Sequence, residues 1–502
     1  MGLPPCWHRL VVGTGSFQPK ARWSPRPALL GPLLCSRLAR DRAPTGLRWP
    51  QSWARGAAGS VGSFPEGPES VAHPGTPVQP PLLLRTLAGM SPTRQDQRSG
   101  CPQGGEPLRH KSVLEVRHLD HLLESCLPSF GGAYLRRIWT LLDQAVGRGV
   151  PMTLAVAGPV TASGQHIAWL NPLLDTGWFC LISTTDAVCY HDGHRSLDSA
   201  AEHPFHEVPI FGDDGALRDD RTIRITDIGF DEDVLLDQDQ FLTHCLLRPE
   251  FQKTMAGPEM RHKLGACYAE QEAKVGAPEG LLALCHRKAI PIFVGAPADG
   301  SVFLNSVKLW ALARAGRIEY RFALDLHHEV LESCAYHLWG QTESEAGALG
   351  TLVLGGGVPK NFNLQPEPAL SQILGFDEIS GYLYDIQITS APVTDGSLSS
   401  CPPAEAVTWG KVDKDSFQRT TESMQADYSM VMPLLTKALL DKRARLAELR
   451  DRLGMETLLQ RHPEAAGYLR DAEGYRLYDQ RDRLLASLEA KIAQSADELL
   501  PS

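Results

Sequence analysis

The chain of 502 residues lacks the sequence features of several common protein classes. It has no run of eighteen apolar residues, so we expect no transmembrane helix. None of its 11 cysteines forms a Cys-x-x-Cys pair, which is typical of reduced thiols in a cytoplasmic protein. Basic residues are not in excess, and the net charge of -10 argues against a nucleic-acid-binding surface and suits a cationic ligand. A Walker loop, a Gly-x-Ser-x-Gly elbow and zinc-finger spacing are also missing, which removes three common chemistries.

The first part of the chain differs in composition from the rest. Residues 1–60 carry nine Lys or Arg against a single acid, Asp41, and Pro, Gly and Ala dominate. We therefore predict that residues 1–109 form a disordered, basic, Pro- and Arg-rich extension, because they hold too little apolar surface to offset the entropy of ordering. Two other interpretations stay open: an organelle transit peptide, and a start codon assigned too early, with Met90 as the true start.

From residue 110 onward, short apolar segments alternate with helical segments. The runs that indicate buried strands lie at 152–157, 178–183, 289–294, 350–354 and 383–388. Because these runs are mostly apolar throughout, they favour a parallel sheet covered by helices on both faces. The expected fold class is a doubly wound, mostly parallel α/β domain at 110–440, followed by a C-terminal helical extension at 441–502.

Small and polar turns follow these strands, and in a doubly wound sheet such turns meet at the carboxyl edge, where ligands bind. The turns expected to converge are those at Gly158, Thr184, Asp299, Gly355 and Ser390. The triple glycine Gly355–Gly357 would let backbone N–H groups approach a phosphate, although a tight strand-to-helix turn explains it equally well. The neighbouring Lys360 is expected either to pair with a phosphate or to be solvated.

Two other patterns have ordinary structural explanations. Residues 299–301 and 395–397 are both Asp-Gly-Ser turns, whose aspartates would accept ribose hydroxyls or cap a helix. The His-x-x-His pairs at 191–194 and 203–206 have the spacing of metal ligands, but nothing in the sequence clearly frames them. We expect no metal site.

A carboxylate, an indole and an amine lie within seven residues in the run Glu405-Ala-Val-Thr-Trp409-Gly-Lys411. A carboxylate and an indole face together hold organic cations, by ion pairing and by cation–π attraction. Lysine is well suited to forming an imine with a carbon electrophile. The run therefore indicates chemistry on an amine, and a surface turn with a half-buried tryptophan is the alternative.

These motifs together resemble the deoxyhypusine synthase family, and they are closest to its bacterial deoxyhypusine synthase-like branch. The resemblance spans residues 114–440 and is carried by Gly355–Lys360, Tyr384–Thr389, Asp395-Gly396 and Glu405–Lys411. The Glu-Ala-Val-Thr-Trp-Gly-Lys run is its most specific part. The resemblance implies an NAD-dependent transferase with a doubly wound NAD-binding domain, assembled as a homotetramer with active sites at subunit interfaces.

The resemblance also implies roles for individual residues. Enzymes of the family oxidise spermidine, pass its aminobutyl group to an enzyme lysine as an imine, and deliver it to a lysine of a translation factor. By resemblance, Lys411 is the catalytic Schiff base lysine. Glu405, Trp409 and Asn361 would contact the substrate. NAD would contact Asp299, Gly355, Gly357, Ser390, Ala391, Asp395, Gly396, Ala426 and Asp427.

Four positions depart from the family pattern. Asn361 and Phe362 stand where the family has two histidines, the first of which transfers a proton, and an amide cannot accept a proton near neutral pH. Leu304 and Leu398 replace two carboxylates that contact spermidine amines, so two charge-assisted contacts worth roughly 1.5–3 kcal/mol each are lost. These changes favour a shorter or less charged amine, or a different acceptor.

The sequence thus predicts a deoxyhypusine synthase-like transferase that passes an aminobutyl-type alkylamine group through Lys411 to an amine acceptor. Its donor would be a small amine or polyamine, and its acceptor a protein or another small amine. Three alternatives stay open: a homospermidine synthase-like enzyme, a non-catalytic relative that binds NAD or polyamine, and an assembly protein with an incidental α/β core.

Overall fold

A parallel sheet of six strands forms the centre of the computed structural model, which describes residues 108–158, 160–197 and 204–499. The strands of the described ranges are β1 (Met152–Val156), β2 (Phe179–Thr184), β3 (His206–Glu207), β4 (Thr222–Ile225), β5 (Ile228–Asp231), β6 (Thr254–Met255), β7 (Ile292–Val294), β8 (Ala323–Leu324), β9 (Gly350–Leu354), β10 (Tyr384–Thr389) and β11 (Thr421–Gln425). The central sheet has the order β11-β10-β9-β1-β2-β7, and all its neighbours are parallel. The extension predicted for residues 1–109 lies outside the described ranges, apart from its last two residues.

The doubly wound fold class predicted from the sequence is confirmed. The five predicted strands are all present, and their ends differ from the prediction by at most three residues. The sixth strand, β11, escaped prediction because it lies at the sheet edge, is mostly half-buried and is largely polar. Strand β7 begins later than expected because Pro291, which has no N–H to donate, precedes it and Ala289 has a positive φ.

Helices cover both faces of the sheet. In chain order the α-helices of the described ranges are α1 (Leu119–Ser125), α2 (Phe130–Gly147), α3 (Asn171–Leu174), α4 (Asp186–Ser196), α5 (Asp214–Asp219), α6 (Asp233–Leu246), α7 (Gly257–Val275), α8 (Leu281–Arg287), α9 (Ser301–Arg314), α10 (Leu326–Thr342), α11 (Gly357–Leu364), α12 (Pro366–Pro368), α13 (Pro403–Ala406), α14 (Phe417–Thr420), α15 (Tyr428–Leu453), α16 (Met455–Arg461), α17 (Ala465–Tyr468), α18 (Arg481–Gln494) and α19 (Ala496–Leu499). Helix α15 runs through position 440, and α18 packs on α10 through the buried Leu484 and Leu488. No helix of these ranges combines the length and apolar content that a membrane span needs.

The two faces of the sheet differ in polarity. One face presents apolar side chains such as Leu154, Leu352 and Ile386 to a large hydrophobic core that includes α2 and α15. The other face, beneath α11, carries buried polar side chains. The members of this polar set on the strands are Thr153, Ser183, Thr351, Asp385 and Gln387. Buried polar side chains on a sheet face cost free energy unless they are hydrogen-bonded, so this face depends on the partners that α11 supplies.

Candidate functional site

A crevice of about 720 Å³ lies at the carboxyl edge of the sheet, between the turns that follow β1 and β9. The chain moves outward from β1 through β2 and β7, then returns and moves outward in the other direction from β9, so the strand order reverses between β1 and β9. In open α/β sheets, ligands bind at this reversal. The walls of the crevice include Gly158, Gly355, Gly356, Ser390, Ala426 and Asp427.

The turn after β9 requires glycine where it meets the turn after β1. Gly356 has φ +65° and ψ 122°, a backbone conformation that other residues adopt only with strain. A Cβ added to Gly356 would lie 2.1 Å from the Cβ of Ala157. Gly357 then opens α11, whose N-terminus has no side-chain cap. Its free N–H groups form a site suited to the phosphates of a ligand.

The start of α15 closes another side of the crevice. Asp427 caps this helix, and its Oδ1 accepts the N–H of Ser429 at 2.8 Å. The hydroxyl of Tyr428 donates to the carbonyl of Ala157 at 2.7 Å and ties α15 to the turn after β1. The hairpin turn between β4 and β5, with Thr226 and Asp227, also lines the crevice. The walls thus come from five separate chain segments.

The nine residues predicted to contact NAD divide into two groups. Gly355, Ser390, Ala426 and Asp427 line the crevice, and Gly357 directly follows Gly356, which also lines it. Ala391, Asp395, Gly396 and Asp299 do not line it in a single copy of the chain. Ala391, Asp395 and Gly396 lie on the loop after β10, where Asp395 and Gly396 are exposed. The Oδ1 of Asp395 there accepts the N–H of Ser397 at 2.7 Å.

Asp299 lies in a short turn after β7, beside the buried carboxylate of Asp186. The Oδ2 of Asp186 accepts the N–H of Val302 at 2.8 Å and so caps α9. Burial raises the pKa of Asp186 to about 6, and the negative charge of Asp299 acts in the same direction. Asp299 itself is exposed, so its carboxylate is free to meet a ligand that reaches this surface.

Lys411 lies at the end of a compact run that folds around it. Helix α13 leads into a 3-10 turn at Val407–Trp409, and Gly410, with φ +69°, reverses the chain. The carbonyl of Lys411 accepts the N–H of Tyr382 at 3.0 Å, which fixes it to the segment before β10. The sequence run Glu405–Lys411 is thus a turn anchored to the sheet, and Lys411 does not line the crevice.

The amine of Lys411 is largely shielded from solvent. The residue is 8% exposed, and its Nζ lies 5.9 Å from the centroid of the Trp409 ring. Burial lowers the pKa of Lys411, a thiolate charge at Cys401 would oppose this shift, and the positive charge of Lys360 reinforces it. Trp409 is 59% exposed and Glu405 is exposed as well, so both side chains are accessible from solvent.

The structure corrects the expectation that Lys360 either pairs with a phosphate or is solvated. The lysine is neither solvated nor directed at the crevice: it is buried, and its Nζ donates to the Oε1 of Gln387 and to the carbonyl of Cys401, both at 2.5 Å. Its neighbour Asn361 is partly exposed on α11. Phe362 stacks on Phe293 with ring centroids 5.5 Å apart, so its aromatic ring serves packing.

A polar network beneath α11 was missed by the sequence analysis. The Nδ2 of Asn363 donates to the Oγ1 of Thr351 at 2.9 Å and to the Oγ1 of Thr153 at 3.1 Å. The signal that would have revealed it is the pair of polar residues, Asp385 and Gln387, in the otherwise apolar strand β10. Side chains of one strand that are two residues apart face the same side of the sheet, so both had to meet the same helix.

The histidine pairs do not assemble a metal centre in the described ranges. The rings of His191 and His194 on α4 pack 4.7 Å apart, and burial lowers the pKa of His194 to about 3. His203 lies outside the described residues. No group of three or more His, Cys, Asp or Glu side chains within those ranges has the arrangement of metal ligands.

The chain is similar to proteins of one family over most of its described length. The family model described as "Deoxyhypusine synthase" matches residues 122–439. A "Deoxyhypusine synthase-like protein" from Cyanothece sp. is 35% identical over 363 residues, which cover 68% of this chain and 87% of that protein. A protein with the same description from Thermosynechococcus vestitus is 35% identical over 371 residues, which cover 70% of this chain and 89% of that protein.

Proposed function

Because this chain belongs to the deoxyhypusine synthase family, we propose that it is an NAD-dependent transferase that passes an alkylamine group through an imine on Lys411. The observation that carries the proposal is the state of the Lys411 amine. It is buried beside the exposed Trp409, and burial favours its neutral form. Imine formation requires a neutral amine, because a protonated one has no free electron pair.

Several features of the crevice support NAD as its ligand. The absence of a side chain at Gly356 and the uncapped N-terminus of α11 suit a pyrophosphate, and Ser390 and Asp427 offer oxygen atoms to ribose hydroxyls. When bound, NAD would accept a hydride from the carbon beside the substrate nitrogen and return it at the end of the reaction.

Side chains of this protein account for the remaining steps. Glu405 and Trp409 hold an ammonium group of the substrate beside Lys411, by ion pairing and cation–π attraction. The neutral Nζ of Lys411 attacks the carbon of the oxidised donor's protonated C=N bond. A bond from Nζ to carbon forms, a proton passes from Nζ to the donor nitrogen, and that nitrogen leaves as a neutral amine. The acceptor amine then displaces Lys411 in the same way, before the hydride returns.

We propose that the donor differs from spermidine, the triamine that the resemblance to the family implies. Leu304 and Leu398 offer no charge, so Glu405 is the carboxylate of the Glu405–Lys411 run that remains to pair with an ammonium group. We propose a small amine or a polyamine that needs one such contact, and an acceptor that is either a protein lysine or another small amine. The alternative is a relative that binds NAD or polyamine without turnover, because Asn361 cannot transfer the proton that the family's histidine transfers.

A screen of amines with NAD tests the proposal. Full-length protein with NAD is expected to form NADH with at least one diamine or polyamine, and borohydride is expected to trap the corresponding alkyl group on Lys411, located by mass spectrometry. NADH and adduct should both require NAD and amine together. NAD binding in calorimetry without NADH from any amine would favour the non-catalytic relative, and no NAD binding would favour the assembly protein.

We propose further that a second copy of the chain completes the site, within a homotetramer. In one copy, neither Lys411 nor Asp299 lines the crevice. Directly after the Asp299 turn, α9 exposes Leu304, Val307 and Trp310. Beside them is an apolar groove of about 400 Å³, lined in part by Phe322 and Leu326. An apolar surface next to an incomplete site supports an interface there.

Trp310→Glu is expected to weaken assembly at least tenfold and to lower NADH formation with it, because a charge replaces an apolar anchor. The measurement is subunit mass by light scattering over a dilution series. Leu236→Glu is the matched control, since Leu236 on α6 and Trp310 are both 52% exposed. Equal subunit mass for both variants would contradict this interface.

A further inference from the structure

A second, three-stranded antiparallel sheet with the order β3-β5-β4 is packed against the wall of the crevice. Its buried anchor is Phe230 on β5, whose ring centroid lies 5.0 Å from that of Phe205. The Cζ of Arg195 lies 3.9 Å from the centroid of the Phe205 ring, and its Nη2 donates to the carbonyl of Ala162 at 2.9 Å. Because Ala162 directly precedes Ser163 in the crevice wall, the small sheet is fixed to that wall.

The turn that joins β4 to β5 is held by hydrogen bonds to its backbone. The Nη1 of Arg224 donates to the carbonyl of Thr226 at 2.8 Å, and the same guanidinium group pairs with both carboxylate oxygens of Asp214, at 2.6 and 3.0 Å. The N–H of Val208 donates to the carbonyl of Asp227 at 2.8 Å. Since both carbonyls of the turn are held, the exposed carboxylate of Asp227 projects from a fixed backbone at the crevice wall.

The walls of the crevice carry negative charge. Its charged side chains are the carboxylates of Asp227 and Asp427, and no Lys, Arg or His of the described ranges lines it. Asp427 lies at the start of α15 and Asp227 on the hairpin, so the two charges come from separate segments. The uncapped N-terminus of α11, after Gly356, is a place that suits an anionic group. A further phosphate beside the hairpin would meet carboxylates and no cation, which is unfavourable.

We infer that Asp227 is a specificity-determining residue of the crevice: the β4–β5 hairpin holds its carboxylate where it accepts a ribose hydroxyl of NAD and repels the additional phosphate of NADP. In doubly wound sheets, a carboxylate accepts the ribose 2′-hydroxyl in sites for NAD, whereas an arginine accommodates the 2′-phosphate in sites for NADP. This inference deepens the proposed function and rests on it. It adds to the dinucleotide site a segment that holds none of the nine residues assigned to NAD by the resemblance.

Calorimetry with NAD and with NADP on the full-length protein, without amine, tests the inference. The unmodified protein is expected to bind NAD at least about tenfold more tightly than NADP. In Asp227→Asn, NAD should bind a few-fold more weakly and NADP as tightly or more tightly, so the ratio of the two affinities should fall roughly tenfold. Asp227→Arg places a cation at the same point and should lower the ratio further.

Asp219→Asn is the matched control for Asp227→Asn. Asp219 is exposed on α5 in the same part of the chain and does not line the crevice, so this variant should keep the ratio of the unmodified protein. NAD binding with an unchanged ratio in Asp227→Asn would overturn this inference alone. An equal fall of the ratio in both asparagine variants would do so too, because it would reflect net charge. If the unmodified protein bound neither dinucleotide, the proposed cofactor would fail as well.

Discussion

Lys411→Arg is expected to abolish the alkyl adduct and to lower transfer activity about 1,000-fold or more. The guanidinium group stays protonated at every accessible pH, so it has no electron pair with which to attack the substrate carbon. NAD binding should stay within a few-fold of the unmodified protein, because Lys411 does not line the crevice. Borohydride trapping and calorimetry with NAD measure the two properties separately.

Lys414→Arg is the matched control for this experiment. Lys414 follows three residues later and is exposed, so the same change of side chain there should leave both trapping and turnover unaltered. An adduct of undiminished yield on the Lys411→Arg protein would assign the chemistry to another group. Loss of NAD binding together with the adduct would mean that the substitution had damaged the fold, which thermal unfolding would reveal.

Gly356→Ala is expected to weaken NAD binding about tenfold to 100-fold. A side chain at φ +65° and ψ 122° is strained by roughly 1–3 kcal/mol, and the added Cβ would strike the Cβ of Ala157, only 2.1 Å away. The turn after β9 must therefore shift, and it forms a wall of the crevice. Calorimetry with NAD measures the loss, and thermal unfolding measures the cost to the fold.

Gly357→Ala is the matched control for Gly356→Ala. A Cβ on Gly357 would meet nothing nearer than 3.5 Å, and Gly357 has helical backbone angles, so Gly357→Ala should bind NAD within a few-fold of the unmodified protein. If both alanine variants bind NAD as tightly as the unmodified protein, the crevice between β1 and β9 is not where NAD binds. Equal but large losses would instead place the N-terminus of α11 in direct contact with NAD.

The sequence predicted the fold where local signals were strong. Strand β9, at Gly350–Leu354, matched its prediction because five apolar or small residues end at a glycine turn. Strand β11 is Thr-Glu-Ser-Met-Gln, and its pairing with β10 depends on a neighbour that is remote in sequence. The apolar pattern of a sequence indicates which side chains a segment can bury, and an edge strand such as β11 buries few of them.

The candidate site was predictable in part for the same reason. The turns at Gly355 and Ser390 follow predicted strands, and the geometry of a parallel sheet brings them together. Lys360 was misassigned, because its direction depends on Gln387 and on the carbonyl of Cys401, which no local pattern reveals. The distance of Asp299 from the crevice likewise depends on the width of the sheet between β1 and β7.

Helix α15 extends from the wall of the crevice to a contact with helix α1. It starts at Tyr428, in the crevice wall, and its 26 residues make a rod roughly 39 Å long. Beyond its midpoint, Arg445 pairs with the buried Asp120 of α1. A tilt of about 5° at the crevice end would move Arg445, about 26 Å along the helix, by about 2 Å. A tilt of α15 on ligand binding in the crevice would therefore displace Arg445 relative to its partner Asp120 on α1.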